Sequence, residues 1–325
     1  MPAIGLLGDV MLGRSVGDRL REVPAEHLWS DEVRSLCASL DLVVCNLECC
    51  ISDRGERTRR IHGKPFFFRA PPSAVEALQE IGVRAVSLAN NHALDYEEEA
   101  LADTLELLGR AGVVAAGAGR GTDEARRPAV VELDGTRVGL LCVSDHPREY
   151  AARDRSYGIA HAEMKRGMPE WLFDEMARLR ERCDLTIAFP HWGPNMSPSP
   201  ARWQRRVAAH LQAAGADLVA GHSAHVFHGL EWSEGGPVLS DLGDTIDDYR
   251  VDPLLRNDLG VLAIWQPGAG EEELELVGLK LDFCFTGLAK GADAEWIATR
   301  LEAACAELGT GVERLAEERF RVRPR

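Results

Sequence analysis

Five short apolar runs in this chain each stop on a side chain that can bind a cation. The first closes on Gly8-Asp9 and the second on Asn46-Leu47-Glu48. The third leads into Asn90-Asn91-His92-Ala93-Leu94-Asp95. The fourth and fifth lead into Pro190-His191-Trp192-Gly193 and Gly221-His222-Ser223-Ala224-His225. The runs themselves, about 3–8, 41–45, 84–88, 184–189 and 217–220, have the length and composition of buried strands. Between and after them, apolar residues recur at three- and four-residue steps over about 72–81, 97–111, 169–182, 201–214 and 294–308, which predicts helices. In the second of these, Leu101, Leu105 and Leu108 share one face. Strand–helix alternation through the first 220 residues predicts an α/β fold with helices covering both faces of a sheet. In such a fold the loops at the carboxyl ends of the strands converge on one crevice, so the five polar endings are expected to meet.

Composition narrows the partners. The 325 residues hold 37 Lys+Arg against 52 Asp+Glu, a formal charge of −15. A nucleic-acid binder needs a cationic footprint to displace counterions from phosphates, and an anionic lipid surface makes the same demand, so neither partner is expected. A small anionic substrate stays compatible, because a local cation can oppose the global field. Apolar residues make up 45% of the chain, enough for a packed core. No repeat or low-complexity linker divides it, so one domain over 1–325 is expected, with a core over 4–285 and a helical extension over 286–325. The opening Met1–Asp9 lacks a basic segment followed by an apolar one, and no apolar run reaches membrane-helix length; a cytoplasmic protein is the expectation. Eight cysteines without paired CxxC spacing fit reduced, buried thiols.

Taken singly, each polar ending has an ordinary explanation. Aspartate after a strand caps helices and makes turns, and a histidine beside a tryptophan is commonly a hydrogen-bonded core residue. The set is more specific than any member. Asp9, Glu48, Asn91, His191, His222 and His225 form a mixed oxygen–nitrogen ligand set, which suits Mn, Zn or Fe over Ca or Mg. Neutral imidazole near pH 7 is a competent ligand.

At these residues the chain resembles the CapA family, named for capsule and poly-γ-glutamate biosynthesis, within the calcineurin-like metallophosphatase superfamily. The matching stretches are Gly8-Asp9-Val10-Met11-Leu12-Gly13-Arg14, Asn46-Leu47-Glu48, Leu88 through Asp95, His191-Trp192-Gly193, Gly221 through His225, Leu242 through Tyr249 and Arg256-Asn257-Asp258. They run in family order from residue 4 to about 265. The resemblance implies a four-layer α-β-β-α arrangement, a β-sandwich flanked by helices, with one or two divalent transition metals at its carboxyl edge. It implies that Asp9 serves a first ion, that Glu48 stands at the bridging position, that Asn91, His191 and His222 serve a second ion and that His225 returns to the first. It also implies His92 as general acid, with Asp95 orienting it.

Two departures stand out. The superfamily's Asp-x-His is Asp9-Val10-Met11 here, which removes a histidine, and the usual bridging aspartate is the longer Glu48. One ion or two therefore stays open. Asp244 replaces an asparagine common in the family; it is either a compensating ligand or a turn residue. Arg14, Lys64, Arg69 and His146 are the candidates for gripping an anionic substrate. The implied chemistry is hydrolysis or transfer at a phosphoester or an amide. The alternative is a non-catalytic accessory role in making poly-γ-glutamate or a capsule-like polymer. No Gly-x-x-x-x-Gly-Lys-Ser/Thr loop and no Gly-x-Ser-x-Gly elbow occurs, which weighs against a Walker-type ligase and a serine hydrolase.

Overall fold

The computed structural model describes residues 1–268 and 274–324. Its centre is two β-sheets. The larger has ten strands. Its main path runs Thr310–Arg314, Arg319–Pro324, Leu274–Asp282, Leu259–Trp265, Ile4–Val10, Leu42–Leu47, Val83–Ser87 and Val114–Ala116. Asp244–Ile246 and Phe285–Leu288 attach beside this path. The smaller sheet has six strands, in the order Leu230–Ser233, Gly236–Leu239, Leu218–Ala220, Leu185–His191, Thr136–Ser144 and Ala129–Leu133.

Period-two alternation explains how both faces of each sheet are buried. Ile4, Leu6, Leu42 and Val44 of the larger sheet and Leu140, Cys142, Ile187 and Phe189 of the smaller one share a central core. Their neighbours in sequence point outward. Leu7, Val43 and Cys45 pack with Val33, Cys37, Leu78, Leu101 and Leu108, which belong to helices Asp31–Ala38, Ala74–Glu80 and Glu97–Arg110. Leu141, Val143 and Ala188 pack with Leu172, Met176, Val207 and Leu211 of helices Glu170–Arg180 and Arg202–Ala213. The layers are helix, sheet, sheet, helix, as the resemblance implied.

The C-terminal segment corrects an expectation. A helical extension is expected over 286–325, but among the described residues there only Ala292–Glu307 is helical. Ile297, Ala298, Leu301 and Cys305 from that helix enter the central core. The hairpin after it pairs with Leu274–Asp282 and so extends the large sheet. Alternation in Arg319-Phe320-Arg321-Val322 buries Phe320 and Val322, and a hairpin that short gives too little periodic signal to be read reliably from sequence. All eight cysteines are buried. Among the described residues no helix is long and apolar enough to cross a membrane.

Candidate metal centre

Strands Ile4–Val10, Leu42–Leu47 and Val83–Ser87 are parallel neighbours, so Asp9, Glu48 and the Asn90–Asp95 loop leave the large sheet at one edge. In the smaller sheet, Leu185–His191 lies parallel to Leu218–Ala220, and His191 bridges His222 just beyond it. The two edges face each other, and the five polar endings meet there.

Two groups of ligand atoms form. Asp9, His191 and His222 make one; Asp9, Glu48, His225 and Asp244 make the other, and within each the atoms lie within 4.8 Å of one another. Asp9 belongs to both. It therefore stands at the shared position, which the resemblance assigned to Glu48, while Glu48 belongs to the second group only. Parallel pairing explains Asp244: Asp9 stands opposite Asp244 in register, so a carboxylate from the adjoining strand arrives beside Asp9. Met11, where a histidine would follow in the phosphatase pattern, turns into the core, and its Sδ accepts the Gly13 N–H at 3.1 Å. Close approach makes this edge possible. A Cβ on Gly8 would lie 1.8 Å from the Gly243 carbonyl oxygen, so only glycine lets the two strands meet.

The hydrogen bonding leaves a set of polar atoms at this edge unfinished. Asp9 Oδ2, both Glu48 oxygens, Asn91 Oδ1, His191 Nε2, His222 Nε2 and Asp244 Oδ2 are buried without a hydrogen-bond partner among the described residues. A buried polar atom left so costs about 1–3 kcal/mol, more when charged, so this concentration calls for a ligand. His191 Nδ1 and His222 Nδ1 approach to 2.9 Å, and Asp9 Oδ1 lies 3.3 Å from His222 Nδ1. Two imidazole nitrogens at that distance need a shared proton or a shared cation. The donor set fits a divalent transition metal.

Charge balance agrees. Burial, then the nearby Asp9 carboxylate, raises the Glu48 pKa well above the usual carboxylate range. Burial also raises that of Asp244, followed by the neighbouring Asp247 and Asp9. Burial opposes the charge on Asp9, but its hydrogen bond to His222 and the charges of His222 and His225 hold it low. Burial, then the His222 ring, pushes His191 well below the normal histidine range, so it is neutral and ligand-competent.

Supporting contacts hold the ligands. Asn46 Nδ2 donates to Asp9 Oδ1 at 2.7 Å, and Asn90 Nδ2 donates to Asn46 Oδ1 at 3.0 Å. Ser223 and His225 take positive φ values of 119° and 60°, a conformation costing roughly 1–3 kcal/mol each. The loop is held in it by Asp241, whose Oδ2 accepts the Ala224 N–H at 2.6 Å. Asp241 and Asn90 serve the site without standing at a ligand position, which is why spacing alone did not single them out.

His92 lies beside the second group. Its Nδ1 is 2.5 Å from Asp95 Oδ2 and its Nε2 is 3.9 Å from Glu48 Oε1. Its ring stacks on Phe68 at 3.8 Å. Burial lowers its pKa to about 4 against the pull of Asp95, so the ring is neutral near pH 7. Asp95 accepts the proton on Nδ1 and thereby leaves the Nε2 lone pair toward the ligand cluster. Asp95 is itself fixed by the Phe68 N–H (2.6 Å), the Tyr150 hydroxyl (3.0 Å) and Lys64 Nζ (3.1 Å).

The four expected substrate contacts separate. Lys64 is nearly buried, and its ammonium bonds Asp95 and the Asn91 carbonyl oxygen, so it braces the His92 loop. The Arg69 guanidinium donates to the carbonyls of Arg54 and Gly55 and stacks on Tyr96, which commits it to holding a loop. Arg14 is 38% exposed, pairs with Asp248 at 3.3 Å, and lies over the Phe66 and Phe68 rings. His146 is half-exposed, bonded to Asp145, with its ring 5.1 Å from that of His191. Arg14 and His146 thus stand at the rim; Lys64 and Arg69 are structural in their contacts.

Comparison with known proteins places this arrangement in a family. A probable polyglutamine synthesis accessory protein of Mycobacterium tuberculosis is 30% identical over 311 residues, covering 91% of this chain and 81% of that one. The PGA biosynthesis protein CapA of Bacillus subtilis is 24% identical over 244 residues, covering 74% of this chain and 62% of that one. Among solved structures, the 5'-nucleotidase of Candida albicans aligns over 95% of this chain and 57% of that one, with TM-score 0.44 and 12% identity. The family model described as bacterial capsule synthesis protein PGA_cap matches residues 3–249, and this chain belongs to that family.

Proposed function

We propose that this protein is a metal-dependent hydrolase or transferase that acts on a phosphoester or an amide of a small anionic metabolite. One observation carries the reading: two groups of ligand atoms that share Asp9, with buried, unpartnered oxygens on Asp9, Glu48 and Asp244 among the described residues. Asp9, Asn91, His191 and His222 would hold one ion; Asp9, Glu48, His225 and Asp244 would hold the other. Such ions, when bound, supply Lewis acidity, making water a nucleophile at neutral pH and polarising the oxygen under attack.

The chain's own residues supply the rest. Asp95 keeps the His92 Nε2 directed at the cluster, where an anionic substrate would raise the ring's proton affinity and let it protonate a departing oxygen or nitrogen. Arg14 at the rim offers the charge that an anion meets first. Replacing His92 by alanine is expected to leave metal content unchanged and to lower kcat by about 10²–10⁴-fold, read by elemental analysis beside steady-state kinetics. Arg14→Ala is expected to raise KM by about two- to fivefold with kcat nearly constant, the loss of one exposed ionic contact.

The test is a screen of phosphoester and γ-glutamyl amide substrates with the Mn-, Zn- and Fe-loaded protein. Absence of turnover with every metal would sink the catalytic reading. A second reading is favoured by the word "accessory" in the name of the Mycobacterium tuberculosis relative: a metal-holding, non-catalytic part of polymer synthesis. His191→Ala separates the two, because an enzyme loses function with the ion while an accessory protein retains it in a polymer-synthesis assay.

A further inference from the structure

Tyr249 is a polar side chain at this crevice that belongs to neither ligand group. It follows the strand Asp244–Ile246, which delivers Asp244 to the cluster. Its ring stands edge-on to His225, with centroids 5.3 Å apart and an interplanar angle of 78°. On another side it meets Phe68 at 5.8 Å, and Phe68 in turn stacks on His92. The ring therefore spans from a proposed ligand of the first ion to the aromatic wall that supports His92.

The hydroxyl at the end of this ring is buried and has no hydrogen-bond partner among the described residues. That is unusual for tyrosine, whose O–H finds an acceptor when removed from water. Acceptors are close at hand: Glu48 and Asp244 both present unpartnered oxygens in the same crevice, yet none is within bonding distance of the phenol. The backbone is not loose either, since the Tyr249 N–H donates to Asp247 Oδ1 at 2.7 Å. A buried hydroxyl with no acceptor, beside the cluster of ligand atoms, matches a position where the acceptor arrives with the ligand.

We propose that the Tyr249 hydroxyl donates a hydrogen bond to a ligand oxygen at the metal centre, a non-leaving oxygen of the group under attack, which gains negative charge as the nucleophile adds. This rests on the reading of the crevice as a site for anions at bound metal. Tyr249 then complements His92: the hydroxyl stabilises charge on the oxygen that stays, and the imidazole protonates the group that leaves. No bond is made or broken at Tyr249, so its proton is shared and not transferred.

The test uses the full chain loaded with Mn, and inorganic phosphate as the probe. Tyr249→Phe keeps the ring and its contacts with His225 and Phe68. Expected are unchanged Mn content and Tm, phosphate affinity weakened about tenfold by calorimetry, and, on any substrate found, kcat lowered about 10²-fold with KM little changed. Equal phosphate affinity in the two proteins, with wild type binding normally, overturns the proposal and leaves the site reading standing. Loss of Mn from Tyr249→Phe also overturns it, since the residue would then support the metal. Failure of wild type to hold Mn or phosphate removes the site reading first, and this proposal with it.

Discussion

Asp9→Asn is expected to empty both metal positions at once and to lower turnover by at least about 10³-fold. The reason is geometric. Asp9 supplies an oxygen to both ligand groups, whereas His191 belongs to one group and Asp244 to the other. An asparagine retains the size and can keep accepting from Asn46, so the fold is retained while the charge and one anionic ligand are lost. A metal's stabilisation of developing charge is worth several kcal/mol, and about 4 kcal/mol corresponds to 10³ in rate. Elemental analysis should therefore find near-zero metal in Asp9→Asn, with one position retained in His191→Ala and in Asp244→Asn. Two ions per chain in Asp9→Asn would refute the shared position.

Metal loading is expected to raise the Tm by about 5–10 °C, and chelation to reverse it. Asp9, Glu48 and Asp244 lie together in the interior, each with a buried oxygen lacking a partner. Like charges held so close in a dry site oppose folding until a cation enters. At a free metal concentration about 1,000 times Kd, a single site adds about 4 kcal/mol, which in a chain of this size gives that order of shift. Asp244→Asn sharpens the test because its sign depends on the metal. Without metal, losing one repelled carboxylate should leave the protein at least as stable as wild type. With metal, the same substitution should forfeit part of the gain. Thermal unfolding with and without chelator measures both. A metal-free Asp244→Asn protein several degrees less stable than metal-free wild type would show that Asp244 is structural through its bond to His225, 2.8 Å away.

The acidity of the chain takes on a different meaning beside these numbers. The formal charge of −15 weighs against broad anionic surfaces as partners, yet several of the carboxylates counted in it converge on one crevice. Bound cations would reverse the local sign there, and Arg14 at the rim adds to it. Global charge and local chemistry are separable because screening confines a surface field to roughly 8–10 Å at ordinary ionic strength.

Local periodicity made most of the scaffold legible. The expected helix at 97–111 is observed as Glu97–Arg110, and that at 201–214 as Arg202–Ala213, because an apolar stripe with a 3.6-residue repeat has one way to be buried. The strand at 184–189 is observed as Leu185–His191, its alternation dividing Ile187 and Phe189 from Ala188. The convergence of Asp9, Glu48, His92, His191, His222 and His225 followed as well, since parallel strands deliver their carboxyl ends to one edge.

What the sequence by itself determined was therefore most of the helices and strands, the edge where chemistry gathers and the donor types found there, while the packing of two sheets face to face was implied by the resemblance alone. What only the tertiary structure decided was which strand lies beside which. Asp9 and Asp244 are neighbours because two strands far apart in sequence pair in register, a choice made by the whole sheet and invisible to any local window. The same holds for the hairpin that completes the large sheet, for Lys64 and Arg69, whose charges are spent on loops they meet only after folding, and for Tyr249, whose missing acceptor becomes apparent only once every neighbour is in place.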